Sequence, residues 1–272
     1  MPPRTPTKDA AGSRGGQPGQ GNLTGEVVGA RKPGWCSWGV VDSGRDPMST
    51  DLVQLHDDLW VVQRPLAFLG LELGTRMSVI RFGDDLLLHS PVAPNDALCN
   101  ALADLGRVRW VIGPNRFHHL YLGGWMALGA EGWAVPSLHR KRADLTFSGT
   151  VGTASPWPDA LQTFALSCFP CGDEAVFLHR PSRTLVVSDL LFNFGADTPL
   201  LTRVTMRIGL AYPGVCCSAL ERVLMKRPAA RRDLAHILAW DFDRVVLAHG
   251  AVVGEGGHDA LRQAYDWLAI QR

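Results

Sequence analysis

The chain has 272 residues, 46% of them hydrophobic and 19% charged, which is enough apolar material for a sizeable core in one large domain or two small ones. A formal net charge of +1 gives no reason to expect nucleic acid or an anionic membrane as the main partner. No run of about 18 uncharged apolar residues occurs, so a spanning helix is not expected.

Residues 2–29 are rich in Gly, Pro, Thr, Ser and Gln and show no apolar periodicity. Such a stretch cannot bury enough surface to offset the entropy of ordering, so residues 1–50 are expected to be a disordered leader. Its basic residues suggest a transit peptide, but Asp9 and Glu26 weigh against one, and Met48 is an alternative start. A folded domain is expected over residues 51–272. Leu59 to Val62 reads as a strand. Arg76 to Phe82 and Leu86 to Ser90 form a pair of strands around the Gly83-Asp84-Asp85 turn signal. Asn95 to Leu105 reads as a helix, with Asn95 as its cap, Leu98, Ala101, Leu102 and Leu105 on one face, and Gly106 as its stop. Val108 to Ile112 is a short buried strand running into the break at Gly113-Pro114-Asn115.

The second half repeats this order in altered form. Thr163 to Phe169, Glu174 to His179 and Thr184 to Leu191 read as strands, with Pro181-Ser182-Arg183 turning between the last two. A helical region from about Leu200 to Met225 follows, then a helix from Arg231 to Trp240. Arg244 to His249 reads as a strand and Gly257 to Ala269 as a closing helix. Two strand-rich halves, each followed by helices, fit two packed sheets with helices outside, and also fit less regular α/β arrangements.

Three apolar runs each end in a polar side chain able to join a ligand site. Val108 to Ile112 leads to His118 and His119, and imidazole is a common ligand for zinc, iron and copper. The bland alternative is a pair of loop histidines capping the next helix. Adjacent side chains diverge on any regular element, so both bind one centre only if the loop bends. Thr184 to Val187 leads to Ser188-Asp189, where a carboxylate is costly to bury unless paired or metal-bound, or else caps a helix. Val245 to Ala248 leads to His249-Gly250, alone more suggestive of a structural histidine. Together the three deliveries point to a site assembled from strand ends. Glu174 and His179 are five apart on one strand, so at most one faces that site. Glu174 is the additional ligand candidate, and His179 is expected to bond near the Ser182-Arg183 turn.

The six cysteines, at positions 36, 99, 168, 171, 216 and 217, are irregularly spaced and read as reduced thiols of a cytoplasmic protein. Cys168-Phe169-Pro170-Cys171 is a lone C-x-x-C between strands, not at a helix start where a thiol is activated. Redox chemistry, or Cys171 as a ligand, are its two alternatives to a plain structural role. No P-loop and no Gly-x-Ser-x-Gly elbow is present.

The order of these elements resembles the metallo-β-lactamase superfamily, which carries a His-x-His-x-Asp-His motif after a strand, a later histidine, a strand-end aspartate and a final histidine. With Gly123-Gly124 set against the glycines after the first motif, His118 falls on its second histidine. Arg116, Leu120 and Tyr121 stand where the motif has His, Asp and His. Asp189 matches the strand-end aspartate and His249-Gly250 the final histidine. The stretch Phe169 to Glu174 occupies the place of the middle one. A closer resemblance is to the uncharacterised family called domain of unknown function 4336, from Leu59 to Trp267. Its marks here are Arg76-Met77, Ser90-Pro91, Pro114-Asn115, His118-His119, Ser182 to Leu185, Asp189, Asn193 and His249-Gly250.

The resemblance implies an α/β fold, the metallo-β-lactamase-like αββα sandwich of two mixed sheets with outer helices. With the second-metal residues replaced, it implies one divalent metal at most, zinc before iron. The ligands would be His118 or His119, Asp189 and His249, with Glu174 replacing the missing histidine. Asp189 would orient or deprotonate the attacking water, and Asn115 or Asn193 would position it. A hydrolase of an ester, lactone or thioester in a small-molecule substrate is one function. A non-catalytic descendant that binds a small molecule or partner, and a redox enzyme using Cys168 and Cys171, are the others.

Overall fold

The computed structural model describes residues 52–152, 155–169 and 173–269. The leader expected at 1–50 lies outside the described residues, as does Cys171. The first half runs β1 (Leu52–His56), β2 (Leu59–Arg64), β3 (Ala67–Phe68), β4 (Leu71–Glu72), β5 (Thr75–Phe82), β6 (Asp85–His89), α1 (Asp96–Ala103), β7 (Arg107–Gly113), α2 (Leu122–Ala127), β8 (Glu131–Ala134), α3 (Pro136–Lys141) and β9 (Gly149–Thr150). The second runs β10 (Leu161–Ala165), β11 (Ala175–His179), β12 (Thr184–Val186), β13 (Phe192–Phe194), α4 (Leu200–Ile208), β14 (Gly214–Cys216), α5 (Ala219–Leu224), α6 (Arg227–Leu238), β15 (Arg244–Val246), β16 (His249–Gly250) and α7 (Gly257–Ala264).

One sheet has the order β1-β2-β5-β6-β7-β8-β9, antiparallel up to β6 and parallel beyond it. The other has the order β10-β11-β12-β15, with β12 and β15 parallel. A small ribbon, β14-β13-β16, and the β3-β4 hairpin complete the strands. The period-2 alternation of β11 locates the layers. Ala175 and Phe177 join the core shared with the first sheet, while Val176 and Leu178 join a second core with Leu234 and Ile237 of α6 and Leu261 of α7. Leu185 and Val186, and again Val245 and Val246, divide the same way. The second sheet is therefore covered by the first sheet on one face and by helices on the other. Leu98, Leu102, Leu122 and Trp125 bury α1 and α2 into the first core, where both helices pack on β7. Each such large side chain stabilises the fold by about 1.5–3 kcal/mol. The expected sandwich of two mixed sheets with outer helices is the one observed.

Local signals explain several boundaries. Phe82 pairs with Asp85 across a two-residue turn, where Gly83 takes a φ of +61°. Asn95 accepts the Leu98 amide, and Pro228 sits in the first turn of α6, which starts before the expected Arg231. Other expectations need correcting. The strand expected at Thr163–Phe169 is Leu161–Ala165. The one expected at Thr184–Leu191 stops at Val186 because residues 188–190 bend away from β15. The helix expected over 200–225 is split into α4 and α5 by Gly209, Pro213 and Gly214, with β14 between them. The strand expected at Arg244–His249 ends at Val246, and His249 instead pairs with β13 in the small ribbon. No helix of the described residues is long and apolar enough to cross a membrane.

Candidate metal centre

The site lies at the carboxyl ends of parallel strands, where the segments that follow β7, β12 and β15 converge. The loop after β7 is anchored to the second sheet: Ala175 N–H donates to Pro114 O at 2.9 Å, and Asn115 bridges Glu174. Buried Asn115 then organises the turn. Its Oδ1 accepts the amides of Phe117 (2.8 Å) and His118 (3.0 Å), and its Nδ2 donates to Asp189 Oδ2 at 2.8 Å. This local bend throws neighbouring histidines apart. His118 points to Asp189, while His119 lies against Arg142, which donates to the His119 carbonyl at 2.8 Å. Burial, then Lys141, push the His119 imidazole down to about 4.

Among the described residues, His118, Asp189 and His249 form the one group whose potential ligand atoms lie within 4.8 Å of one another. Both Nε2 atoms stand 3.2 Å from Asp189 Oδ1. Each imidazole is held from behind. Ser90 Oγ lies 2.5 Å from His118 Nδ1, and His249 Nδ1 donates to Gly74 O at 2.8 Å. Ser90 occupies the left-handed region, φ +53°, an uncommon conformation that aims its hydroxyl at the ring. The His249 loop is clamped by buried Arg76, which donates to Leu247 O (2.5 Å) and Gly250 O (2.6 Å). Asn193 Nδ2 donates to Ala251 O at 2.8 Å, and Phe192 stacks on the His249 ring. Gly250 is required there: its φ is +96°, and a Cβ would stand 2.0 Å from Asn193 O.

Glu174 faces inward but does not join the three. Its Oε1 accepts the amides of Ser188 (3.0 Å) and Leu190 (3.1 Å), and so shapes the bend carrying Asp189. Tyr265 donates to Leu190 O at 2.8 Å from the other side. Burial, and then the Asp189 charge, raise the Glu174 carboxyl. Burial also works to raise Asp189, but His118 and then His249 outweigh it and hold that carboxyl well below the usual range. His179 lies 2.7 Å from Ser182 Oγ, at the turn where the sequence expects it. Burial, then Asp233, push the Cys168 thiol well up, the opposite of a reactive thiol.

The donor set fits a divalent cation. A carbonyl only accepts, so Gly74 fixes a proton of His249 on Nδ1, and in the neutral ring Nε2 is then a lone pair. That lone pair faces a carboxylate oxygen at 3.2 Å, which is repulsive unless a cation or a second proton lies between them. A tetrahedral shell with bonds of about 2.0 Å spaces its donor atoms by roughly 3.3 Å, close to both observed approaches.

Solved structures share this architecture. A metallo-β-lactamase of Pseudomonas aeruginosa, FIM-1 in its mono-zinc form, aligns over 81% of this chain and 96% of its own with 12% identity and a TM-score of 0.56. The fold is that of the metallo-β-lactamases. A metallo-β-lactamase from Erythrobacter litoralis aligns over 80% of this chain and 91% of its own, at 12% identity and a TM-score of 0.55. One from Hirschia baltica aligns over 81% and 98%, at 17% identity and 0.53. No family model matches the chain, and no curated protein matches it in sequence.

Sequence reasoning missed the parts played by Ser90, Gly74 and Arg76. An arginine opening the apolar strand Arg76 to Phe82 is a usable signal, since a buried guanidinium needs acceptors. Gly74 acts through its carbonyl and carries no side-chain signature.

Proposed function

We propose that the chain is a metal-dependent hydrolase with a mononuclear site built by His118, Asp189 and His249. The observation that carries this reading is the approach of two imidazole Nε2 atoms to one carboxylate oxygen, with the His249 tautomer fixed from behind. A divalent ion held there, zinc before iron, supplies a Lewis acid and an ionisable water at neutral pH. The protein's part is positioning. Asn115 holds Asp189 Oδ2 and turns Oδ1 toward the imidazoles, Ser90 sets the His118 ring, and Arg76 and Asn193 hold the His249 loop. Both ends of the Asn115 amide are committed, so it is a positioning residue rather than a group acting on the attacking water. Glu174 and His119 belong to the supporting frame. Exposed Phe117 and Leu120 in the His118 loop supply an apolar edge suited to the acyl part of an ester, lactone or thioester. We also read the chain as a relative of domain of unknown function 4336, a cytoplasmic protein, on its motifs and on the free thiols of Cys99, Cys168, Cys216 and Cys217.

One feature favours a second reading, a binding protein without catalysis. Ser90, His118 and Asp189 make a closed hydrogen-bonded chain that needs no cation. Elemental analysis of protein purified without added metal separates the two. About one equivalent, lost in His249→Ala and accompanied by a fall in Tm with chelator, supports the hydrolase. Less than about 0.2 equivalents with a Tm indifferent to chelator overturns it in favour of the second reading.

A further inference from the structure

Eight of the fourteen exposed large hydrophobic side chains among the described residues fall between Leu200 and Leu224. On α4, Leu200, Leu201, Val204 and Ile208 occupy one 100° sector and face outward, Ile208 being 79% exposed. On α5, Leu220, Val223 and Leu224 do the same, with Val223 at 81%. The two helices are joined, since Ala219 N–H donates to Gly209 O at 2.7 Å. The β3-β4 hairpin, with exposed Phe68 and Leu69, is tied to α4 by Glu72 N–H donating to Thr202 Oγ1 at 3.1 Å. Three hydrogen-bonded elements thus each present exposed apolar side chains.

Its charge identifies what covers it. Residues 200–232 hold seven basic side chains and one acidic, Glu221, which is buried. Arg207, Lys226, Arg227 and Arg232 are exposed. A second copy of the chain seated on this face would bring the same cations together. Residues 1–51, with six basic and five acidic side chains, are near neutral and bring no net negative charge to match it. Outward apolar side chains flanked by arginine and lysine match the interfacial zone of an anionic bilayer. There the apolar groups enter the acyl boundary and the cations meet lipid phosphates.

We propose that the α4-α5 face, with the β3-β4 hairpin beside it, docks on an anionic membrane surface. The net charge of +1, averaged over the whole chain, hides this local asymmetry. The proposal is independent of any metal. The test is sedimentation of the full chain with phosphatidylcholine vesicles, with and without phosphatidylserine, at low and high salt. Binding should be at least tenfold tighter with phosphatidylserine and should weaken as salt rises. Ile208→Asp with Val223→Asp should lower it roughly tenfold, and Arg207→Glu with Arg227→Glu should do so and flatten the salt dependence. All four positions are exposed, so circular dichroism should report an unchanged fold. Equal binding to both vesicle types, or none to either, overturns the proposal. So does a dimer in sedimentation velocity that Ile208→Asp dissolves while vesicle binding is unaffected.

Discussion

Truncating Asn115 to alanine removes the side chain that joins the two sheets' loops at the centre. Asn115 is 4% exposed, donates to Asp189 Oδ2 at 2.8 Å and accepts two backbone amides. A hydrogen bond to a charged group contributes about 1.5–3 kcal/mol, and each amide about 0.5–1.5 kcal/mol where water can partly replace the lost acceptor. Allowing for non-additivity, the alanine variant should lose about 3 kcal/mol in urea unfolding. With Asp189 no longer oriented, zinc affinity measured by competition with a chromophoric chelator should fall about 10–100-fold. Asn115→Asp separates the two roles. It keeps the acceptor for Phe117 and His118 but sets a third carboxylate beside Asp189 and Glu174, so it should weaken the clamp while preserving the turn. A change within about 0.5 kcal/mol for the alanine variant, with metal affinity intact, would refute the claim that this amide organises the site.

Two further outcomes follow from the same contacts. Gly250→Ala places a methyl 2.0 Å from Asn193 O at a φ of +96°; β13 and β16 must part, and thermal unfolding should show a loss of about 3 kcal/mol or more with weakened metal binding. His89 is 2% exposed, and burial, then His118, push its imidazole down to about 3. Below pH 6.5 the unfolded chain takes up a proton that the buried ring refuses, so stability present at pH 7.5 is lost as pH falls toward 3. His89→Leu should reduce the slope of unfolding free energy between pH 6 and 5 by about 1.2 kcal/mol per pH unit, and an unchanged slope would show that another group carries it.

The layering was legible because it rests on periodicity. The turn at Gly83-Asp84, the cap at Asn95 and the alternation of Ala175 to Leu178 each state a local geometry that tertiary contacts then obey. Strand ends were not legible, since an apolar run reports burial rather than pairing. Leu190 and Leu191 are fully buried and resume the apolar run just past Ser188-Asp189, yet the backbone there is bent and unpaired with β15. Residues 200–225 failed because helical apolar spacing on both sides masked the break at Gly209, Pro213 and Gly214. Their apolar spacing is helical, but much of it faces solvent, and spacing alone does not say which side of a helix meets the core.

At the candidate site, the reasoning from strand tips named five ligand candidates, and three of them converge. Position along an apolar strand was informative because a costly buried polar group must have a partner, and strand ends are where partners meet. The divergence of His118 and His119 follows from backbone geometry that any adjacent pair obeys. What stayed hidden was the set of groups behind the rings. Gly74 acts through a carbonyl that every residue possesses, so no residue pattern marks it, and only the fold shows that it faces His249 Nδ1. Yet that carbonyl decides the chemistry. It holds a proton on Nδ1, so that in the neutral ring Nε2 turns a lone pair to Asp189 and the contact calls for a cation or a second proton between its partners. Ser90 imposes no such constraint on His118, because a hydroxyl both donates and accepts. The call for a cation or a second proton therefore enters through His249, and Gly74→Val, strained at a φ of +64° and so bound to shift this carbonyl, should cost more metal affinity than Ser90→Ala.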